Sequence, residues 1–545
     1  MIAVAELKMT DIEQLLERAR TGPLSEQDCK LIRSMVETLF YLSELAEDKQ
    51  TTIAELRRIL QRSTSEKTRD VFGDTLTDTP AQDKAGSQNA DKQPFENRAH
   101  QEKKSNGHGR NGASAYKGAN KIRIAHESLT HGDRCPECSK GKLYGRHIEP
   151  AMLVRVVGGA PLQATVYELE KLRCNLCGEV FTAQAPEGAG SEKYDATSAS
   201  MVALLKYGSG LPFHRLERLQ RSMGIPLPVS TQWDIVRNAA ERIEPAYQEL
   251  IRQAAQGEVL YNDDTSMKIL SLMKESAFDE EYSDRTGIFT SGIVSTREGR
   301  RIALFFTGRQ HAGENLADVL AERAKAIPAP IQMCDALARN LPKQLELIVA
   351  NCIVHARRRF VEVAPNFPEE CRYVLEVLGR VYANDAMAHE QKMSAEERLH
   401  FHQAHSGPLM DELKQWFAQQ FEQRRVEPNS GLGAAIAYMT NRWDRFTLFL
   451  RKAGAPLDNN VCERALKKAI LHRKNSLFYK TENGAHVGDI FMSLIYTCQI
   501  CGADPFDYLT QLYRRSPELS HSRHDWMPWN YLDSLQHASC RDRPN

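Results

Sequence analysis

The first part of the chain carries a heptad pattern of apolar residues. It starts from the capping-box sequence Ser25-Glu-Gln-Asp28 and repeats every seven positions at Ile32, Leu39, Ala46, Ile53 and Leu60. Met35, Leu42 and Leu56 fill the intermediate apolar positions, and Lys49 interrupts them. The pattern predicts a helical coiled-coil region over residues 1–62 that pairs two copies of the chain. A single amphipathic helix packed on the body of the protein is the alternative.

Residues 63–120 have few large apolar side chains and cannot bury enough surface to fold, which predicts a disordered basic linker. The segment 103–123 at its end contains six Lys and Arg residues and no acid. A flexible arm of this charge could lie along DNA phosphates. A linker that only increases solubility is the alternative.

Residues 121–190 contain short strand-like runs and two CxxC pairs, formed by Cys135, Cys138, Cys174 and Cys177. Four thiolates complete a tetrahedral zinc site with no open position, so the pattern predicts a zinc-ribbon-like module with one structural Zn²⁺. The 35 residues between the pairs leave room for a small inserted sheet. Coincidental free thiols are the alternative. A third CxxC, from Cys498 to Cys501, lies in an apolar helical stretch and is interpreted as buried core.

Residues 191–256 change to helical periodicity, with Gly208, Gly210 and Pro212 between two helical stretches. Ser230, just after Pro228, is predicted to cap a further helix. Two helices around a short turn are compatible with a DNA-binding helix-turn-helix, although generic helical packing explains the same pattern.

The pattern becomes α/β over residues 257–500. VLYNDD predicts a buried strand, GIFTSGIVS and RRIALFFTG predict a hairpin, and PIQMCD predicts another strand. Helices are predicted over 313–325 and 337–350, with a short strand at CIVHA between 352 and 356. Long helices over 361–456, with the capping box Ser394-Ala-Glu-Glu397, form a helical insertion before a last helix that carries DNNVCERALKKAI. Residues 501–545 are predicted as a C-terminal tail region.

Composition excludes some classes of protein. The 545 residues contain 71 basic and 71 acidic side chains, so no bulk charge indicates nucleic acid or a membrane. No apolar run approaches the ~18–20 residues of a membrane-spanning helix, and the start lacks a signal-peptide pattern. These features favour a cytoplasmic protein that does not contact membranes.

Four acids stand at positions where α/β proteins place their active sites. Asp263 and Asp264 end one predicted strand, Asp335 ends another, and Glu463 lies on a later helix. Three carboxylates brought together could hold two divalent cations for phosphodiester chemistry, although most of the 71 acids must simply be solvated. Residues 452–480 contain seven Lys and Arg against two acids, and His355-Ala-Arg-Arg-Arg359 follows the predicted strand at CIVHA. This local excess favours a polyanionic ligand over an ordinary solvated helix face.

An ordered set of motifs between about residues 113 and 531 resembles the bacterial insertion-sequence-66 family of transposases, the TnpC type. The motifs are Asp263-Asp264-Thr265, the strand ending at Asp335, Cys352-x-x-His-Ala-Arg-Arg-x-Phe360, Asp458-Asn459-Asn460-x-x-Glu463-Arg464-Ala465, Arg473 to Phe478, and Pro528-Trp529-Asn530. The chain departs from the family pattern at Asp264, where Glu is common, and at Tyr531, where Trp is usual.

The resemblance implies a multidomain protein whose catalytic domain is ribonuclease-H-like, with Asp263, Asp335 and Glu463 as a DDE triad that holds two Mg²⁺ or Mn²⁺ ions. It implies cleavage and strand transfer at the ends of an insertion sequence. Residues expected to contact DNA are His355, Arg357, Arg358, Asn459, Asn460, Arg464, Lys467, Arg473 and Lys474. The expected partners are element and target DNA, further copies of the chain, and accessory proteins of the same element. A DNA-binding repressor with a silent catalytic fold and a nuclease or resolvase of the same fold are the alternatives.

Overall fold

The computed structural model describes residues 192–278, 287–343 and 345–541, with 159–173, 180–186, 190 and isolated positions between 25 and 142. Two compact units are present, residues 79–163 and the remainder of the chain. The linker over 63–120, most of the coiled-coil region and all four paired cysteines lie outside the described residues. The predictions for these segments therefore stay predictions.

The predicted start of the first helix is seen at Ser25 and Asp28. The Asp28 backbone N–H donates to Ser25 Oγ at 3.2 Å, and the Ser25 N–H donates to Asp28 Oδ2 at 3.2 Å. These reciprocal bonds form a capping box, and Asp28 and Ile32 are helical.

Seven strands form two sheets among the described residues. A two-stranded antiparallel pair joins β1 (Lys171–Arg173) and β2 (Val180–Thr182), which flank the second CxxC pair in sequence. The larger sheet has the order β5-β4-β3-β6-β7 and comprises β3 (Val259–Ser266), β4 (Phe289–Arg297), β5 (Arg300–Gly308), β6 (Ile331–Cys334) and β7 (Ile348–Asn351). β3, β4 and β5 are antiparallel, whereas β6 and β7 run parallel to β3.

The predicted hairpin is confirmed by β4 and β5. Arg297 pairs with Arg300, so only Glu298 and Gly299 form the turn. Both have positive φ, 50° and 78°, which matches the right-handed twist of the two strands. The glycine at the second position carries no steric cost in this conformation.

Helices precede, connect and follow the strands of this sheet along the chain. They are α1 (Ala196–Ala203), extended by a π-helical turn over Leu204–Gly208, α2 (Phe213–Ser222), α3 (Val229–Ala254), α4 (Leu270–Phe278), α5 (Ala312–Ala321), α6 (Ile353–Val363), α7 (Pro368–Glu390), α8 (Ala395–His405), α9 (Gly407–Glu422), α10 (Gly431–Thr440), α11 (Trp443–Phe446), α12 (Asn460–Ser476), α13 (Glu482–Cys501), α14 (Pro505–Arg514), α15 (Ser516–Ser522) and α16 (Tyr531–Arg541). The predicted capping box at Ser394 and Glu397 opens α8.

Helix α13 covers the edge strand β5 with a row of polar side chains spaced four residues apart. The backbone N–H groups of Ala303, Phe305 and Thr307 donate to the side chains of Thr497, Ser493 and Asp489, respectively. Cys501 continues the row by donating from Sγ to the Arg301 carbonyl at 3.3 Å. These bonds satisfy backbone groups that an edge strand would otherwise expose. Cys501 therefore has a packing role, and its neighbour Cys498 is fully buried.

Several predicted elements differ from the structure. The helix predicted over 337–350 is wrong, because a 3₁₀ turn at Ala338–Asn340 is followed by strand β7. The strand predicted at CIVHA is also wrong: Cys352 is the N-cap of α6, so the His-Ala-Arg-Arg-Arg segment is helical. Helix α3 begins at Val229 with Pro228 as its N-cap, so Ser230 is not a cap.

The predicted tail region contains helices α14, α15 and α16. Helix α14 packs against α1, α3 and α13, and Tyr508 and Leu512 of α14 are fully buried. Residues 505–514 are therefore part of the folded body. Among the described residues, no helix is long and apolar enough to cross a membrane.

Candidate active site

Two acids lie at the same edge of the sheet because their strands are parallel neighbours. Tyr261 of β3 pairs with Met333 of β6, and two residues further each strand reaches an acid, Asp263 and Asp335. The carboxyl ends of adjacent parallel strands are where open α/β sheets place their ligand sites. Asp335 is only 8% exposed, so its carboxylate depends on the protein for hydrogen-bond donors.

The side-chain amide of Asn340 lies between these acids. Its Nδ2 donates to Asp335 Oδ1 at 2.6 Å and lies 3.4 Å from Asp263 Oδ1. Asp335 Oδ1 also accepts from the Leu337 N–H at 3.0 Å. The 3₁₀ turn that carries Asn340 therefore fixes the orientation of one carboxylate relative to the other.

A buried amide network supports the turn. The side chains of Asn262 and Gln332 both donate to the Asn340 carbonyl, at 2.8 and 2.6 Å. Gln332 also donates to Asn262 Oδ1 at 2.8 Å. All three residues are fully buried. None of the three was predicted as a site residue, although polar residues inside otherwise apolar strands are a signal that could have identified Asn262 and Gln332.

Glu463 approaches from helix α12, which packs on β3 and β4. The preceding residue, Cys462, donates from Sγ to the Gly292 carbonyl at 3.2 Å, and Gly292 is the residue of β4 that pairs with Asp263. The side chain of Glu463 is 30% exposed, and its Oε1 atom is buried without a hydrogen-bond partner among the described residues. The first turn of α12 thus places a third acid next to the strand pair.

Asp263 experiences the charges of the other acids. Burial is the main cause that raises the pKa of Asp263 to about 7, and the negative charges of Asp335, Asp264 and Glu463 contribute in the same direction, against a hydrogen bond from the Asp264 N–H that lowers it. Carboxylates that face one another without a counter-ion are the environment that a divalent cation stabilises. The donor set and the unpartnered Glu463 oxygen both fit a hard cation.

His355 and Cys352 extend this cluster from the start of α6. Together with Glu463 they offer three ligand atoms that lie within 4.8 Å of one another. His355 Nδ1 is 4.0 Å from Glu463 Oε1 and is buried without a hydrogen-bond partner among the described residues. Burial raises the pKa of the Cys352 thiol to about 12, so a metal would have to displace its proton.

Asp264 faces away from the three acids, as expected for the next residue along a strand. Its side chain is 1% exposed and accepts from Ser291 Oγ at 2.7 Å and from the His311 ring at 3.0 Å. Asp264 therefore belongs to a buried contact between β3, β4 and the start of α5.

The residues expected to contact DNA occupy different environments. Arg464, Lys467 and Lys474 are exposed on α12, and His355, Arg357 and Arg358 are half-buried on α6. Arg473 donates to Thr265 Oγ1 at 3.1 Å and to both oxygens of Ser266, at the end of β3.

The two asparagines at the start of α12 have local partners. Asn460 donates to Asp458 Oδ2 at 2.7 Å. Asn459 is fully buried and donates to the Asn262 carbonyl at 3.0 Å, so it holds α12 against β3 and is not accessible to DNA.

The fold and site define a mixed α/β protein with a five-stranded sheet and an acidic cluster at the carboxyl ends of adjacent parallel strands. The model of the Transposase IS66 family matches residues 193–487, which include the five strands and helix α12. The chain belongs to this transposase family.

Curated relatives come from Sinorhizobium fredii (strain NBRC 101917 / NGR234). The chain is 26% identical over 382 residues to the uncharacterized protein y4hP, an alignment that covers 66% of this chain and 67% of the relative. It is 25% identical over 354 residues to the uncharacterized protein y4jD, with 61% and 65% covered. It is 24% identical over 360 residues to the uncharacterized protein y4qI, with 61% of each covered. The chain thus spans about two thirds of the length of these relatives.

Proposed function

We propose that the protein cleaves and joins DNA at the ends of an insertion sequence, with Asp263, Asp335 and Glu463 as its catalytic acids. The observation that carries this proposal is the position of Asp263 and Asp335 at the ends of adjacent parallel strands, with Glu463 on a helix that packs against β3. Asp263 and Asp335 end adjacent parallel strands and share the Asn340 amide, and Glu463 is close enough to raise the pKa of Asp263.

The fold supports the same proposal. Three antiparallel strands followed by two parallel ones, in the order β5-β4-β3-β6-β7, agree with the ribonuclease-H-like arrangement that the sequence resemblance implies. The acids lie on the first strand, after the fourth strand and on a later helix of this arrangement. Helices α7 to α11, between β7 and α12, correspond to the proposed helical insertion.

Asp263, Asp335 and Glu463 would hold two Mg²⁺ or Mn²⁺ ions, since hard oxygen donors are the ligands these cations prefer. When bound, the two ions would activate the attacking oxygen, of water or of a 3′-hydroxyl, and stabilise the leaving oxygen. The chain's own contribution is orientation. Asn340 and the Leu337 N–H fix Asp335, and the packing of α12 on Gly292 fixes Glu463.

The basic residues would hold the DNA. Arg464, Lys467 and Lys474 are exposed on the helix that carries Glu463, so phosphates bound along α12 would run toward the acids. Arg473 of α12 is hydrogen-bonded to the end of β3 and would hold the helix in a fixed position relative to this strand. His355, Arg357, Arg358 and Asn460 are proposed as further DNA contacts.

The remaining segments are proposed to assemble the complex. Residues 1–62 would form a coiled coil between copies of the chain, and 63–120 a disordered basic linker. Residues 121–190 would bind one structural Zn²⁺ through Cys135, Cys138, Cys174 and Cys177. Residues 191–256 would position the element ends. The protein would act on the nucleoid in the bacterial cytoplasm, with target DNA and accessory proteins as partners.

The test is strand transfer of a labelled duplex that carries the flanking element end into a target plasmid. Asp263→Asn, Asp335→Asn and Glu463→Gln should each abolish nicking and joining, because each removes a charge that a divalent ion needs. Binding of the end should persist. Asp264→Asn is the matched control and should retain much more activity, since Asp264 faces Ser291 and His311.

The outcomes separate the alternatives. Joining activity that survives Glu463→Gln but not Asp264→Asn would show that the assignment of the triad is wrong. Cut but unjoined products at every target concentration would indicate a nuclease or resolvase. Specific end binding without metal-dependent cleavage would indicate a repressor.

A further inference from the structure

A cavity of about 560 Å³ lies where the π-helical turn, α2, α3 and the connection between α12 and α13 meet. Its lining is rich in aromatic side chains, those of Tyr207, Phe213, Trp233, Phe478 and Tyr479. The volume lies within the range of ligand-binding pockets. Of the described residues that line it, three are basic in type (Lys206, His214 and Lys480) and none is acidic.

Lys206 places a buried positive charge in this cavity. The residue is 7% exposed, and its Nζ donates to Ser476 Oγ at 2.7 Å and lies 5.0 Å from the ring centroid of Phe213. It makes no ion pair with any described residue. Burial lowers its pKa to about 8, so most of the ammonium stays charged at pH 7. A desolvated cation without a counter-ion is costly, and an entering anion would remove that cost.

The wall behind Lys206 is formed by aromatic rings, and burial followed by the charge of Asp489 on α13 raises the pKa of two of them, Tyr207 and Tyr479. The ring of His472 stacks between Tyr207 and Tyr479, with centroid distances of 6.2 and 4.6 Å. Burial, together with the charge of Lys206, lowers the pKa of His472 to about 3, so the imidazole is neutral. The cavity therefore combines an aromatic wall with a buried cation, Lys206, that forms no ion pair with any described residue.

The connection between α12 and α13, which lines the cavity from Phe478 onward, begins with a strained residue. Leu477, the residue after α12, is held at φ 68° and is 62% exposed, and Phe478 next to it is 41% exposed. A leucine in the left-handed region costs conformational energy, and such strain concentrates at functional sites. Here it turns the chain so that Phe478 lines the cavity.

The cavity is lined at one point by Ser476, the last residue of the helix that carries Glu463. Ser476 follows Glu463 by 13 residues on α12, which corresponds to ~20 Å along the helix axis. That distance equals about six steps of a DNA strand. The exposed Lys467 and Lys474 lie on the intervening part of α12. Ser476 itself lies ~140° around the helix axis from Glu463, so a strand bound at the acids would follow these lysines and pass around the end of α12 to reach the cavity.

We propose that the cavity holds one nucleotide that leaves the duplex when the DNA end is bound, with its base against the aromatic side chains and its phosphate at Lys206. This inference rests on the proposed function. Every base has a face that stacks on an aromatic ring, so the pocket needs no sequence match at that position. Stacking in the cavity would offset the energy of unstacking the base from the duplex.

The experiment compares two labelled end duplexes by fluorescence anisotropy with the full-length protein. One carries a single unpaired nucleotide, and the other carries an abasic site at that position. The unpaired position is moved through the last ten base pairs of the end. At one position the wild type should bind the unpaired base about 10-fold more tightly than the abasic site, in the range expected for one base–aromatic stack.

Variants of the lining residues test whether the preference for the unpaired base over the abasic site arises in the cavity. Trp233→Ala and Phe478→Ala should reduce the ratio of the affinities for the unpaired-base and abasic duplexes to about 1. Because Phe478 is partly exposed, the Phe478→Ala variant should still fold. Lys206→Met should weaken binding of both duplexes and keep the ratio, because it removes a phosphate contact. The controls Trp416→Ala and Lys414→Met, on α9 of the helical insertion, should change neither quantity.

A ratio near 1 at every position, or a ratio that survives both aromatic variants, would overturn the proposal. A change in mass by light scattering in Trp233→Ala, with no base preference, would instead show that the cavity is a contact between protein chains, which also overturns it. Cleavage of the same duplex is followed in parallel. Cleavage without base preference rejects the cavity proposal alone, whereas absence of both specific binding and cleavage rejects the proposed function.

Discussion

Gly292 lies directly opposite Asp263 in the antiparallel pair of β3 and β4, and helix α12 packs on it so closely that no side chain fits. A Cβ atom at this position would lie 2.9 Å from two side-chain carbons of Leu466 and 3.3 Å from Cys462 Sγ. Both residues lie within one turn of Glu463. The missing side chain of Gly292 thus sets the distance between the helix acid and the strand acid.

Gly292→Ala should displace the start of α12 and lower strand-transfer activity by about 10- to 100-fold, since misplacing a catalytic group by about 1 Å can lower the rate by about 100-fold. The stability should fall by only about 1–3 kcal/mol, as is usual for an added core methyl group. Strand transfer and thermal unfolding measured on the same preparation separate the two effects.

Gly308→Ala is the matched control, because no atom of the described residues lies within 4 Å of a Cβ built there. Adding Leu466→Ala to Gly292→Ala removes the contacted carbons and should restore part of the activity. Equal activity losses in both glycine variants would contradict the spacing role of Gly292.

Asn340→Ala should weaken the use of divalent metal. It removes the amide that Asp335 and Asp263 share, and a buried hydrogen bond to a charged group contributes about 1.5–3 kcal/mol. The Mg²⁺ concentration for half-maximal nicking should rise several-fold while end binding stays unchanged. Asn315→Ala is the control, since Asn315 is also buried but donates to Ser291. An unchanged metal dependence in Asn340→Ala would exclude this role.

Much of the catalytic sheet is visible in the sequence. The apolar run before Asp263, the hairpin and the strand before Asp335 are local patterns with clear ends, and each forms in the structure. The capping boxes at Ser25 and Ser394 depend only on residues within one turn and form as well. These elements are determined by interactions between residues that are close in sequence.

The predictions that the structure contradicts concern residues whose conformation depends on partners distant in sequence. Strand β7 is only four residues long and is stabilised by parallel pairing with β6, which no local pattern reveals. The buried position of Asn459 depends on contacts with Asn262 and Cys352, which lie 197 and 107 residues away in sequence. Asn340 was missed for the same reason. Its function arises only when a turn after β6 meets the end of β3.

The zinc prediction rests on the sequence of the paired cysteines. Freshly purified protein should contain about one zinc per chain, and Cys174→Ser should lose it, because three thiolates bind the ion more weakly than four. Limited proteolysis should then cut residues 121–190 faster. Cys501→Ser should keep the zinc, since Cys501 donates to the Arg301 carbonyl. Metal analysis that finds no zinc in the wild type would contradict the prediction.

The heptad seam predicts self-association through residues 25–62. Leu39→Lys combined with Leu56→Lys puts two charges at apolar seam positions and should lower the mass measured by light scattering toward that of one chain. Thr51→Lys adds a charge outside the seam and is the control. Nicking of a single end should persist in the double variant. An unchanged mass in that variant would exclude the seam as a contact between copies.

Asp489 is a buried acid outside the active site. It accepts from the N–H and Oγ1 of Thr307, each at 2.7 Å, and is 4% exposed. Burial raises its pKa, and although the bonds from Thr307 and the charge of His486 act in the opposite direction, the pKa lies at about 7 instead of 3.8. Between these pH values the folded chain keeps a proton that the unfolded chain releases. The free energy of unfolding therefore falls as pH rises from about 4 to about 7, by at most ~1.4 kcal/mol per pH unit.

Asp489→Asn keeps the size of the side chain and removes its ionisation. Its amide oxygen can accept from the Thr307 N–H, and its NH₂ group can donate to Thr307 Oγ1. Relative to the wild type, the variant should therefore gain stability steadily between pH 5 and pH 7.5, which urea unfolding followed by tryptophan fluorescence at several pH values measures. Asp411→Asn, at an exposed position of α9, should show no such trend. The opposite outcome is a difference in urea midpoint between Asp489→Asn and the wild type that stays constant over this pH range. It would show that Asp489 is already ionised at pH 5 in the folded protein. The hydrogen bonds of the carboxylate between α13 and β5 would then stabilise its charge more than burial destabilises it.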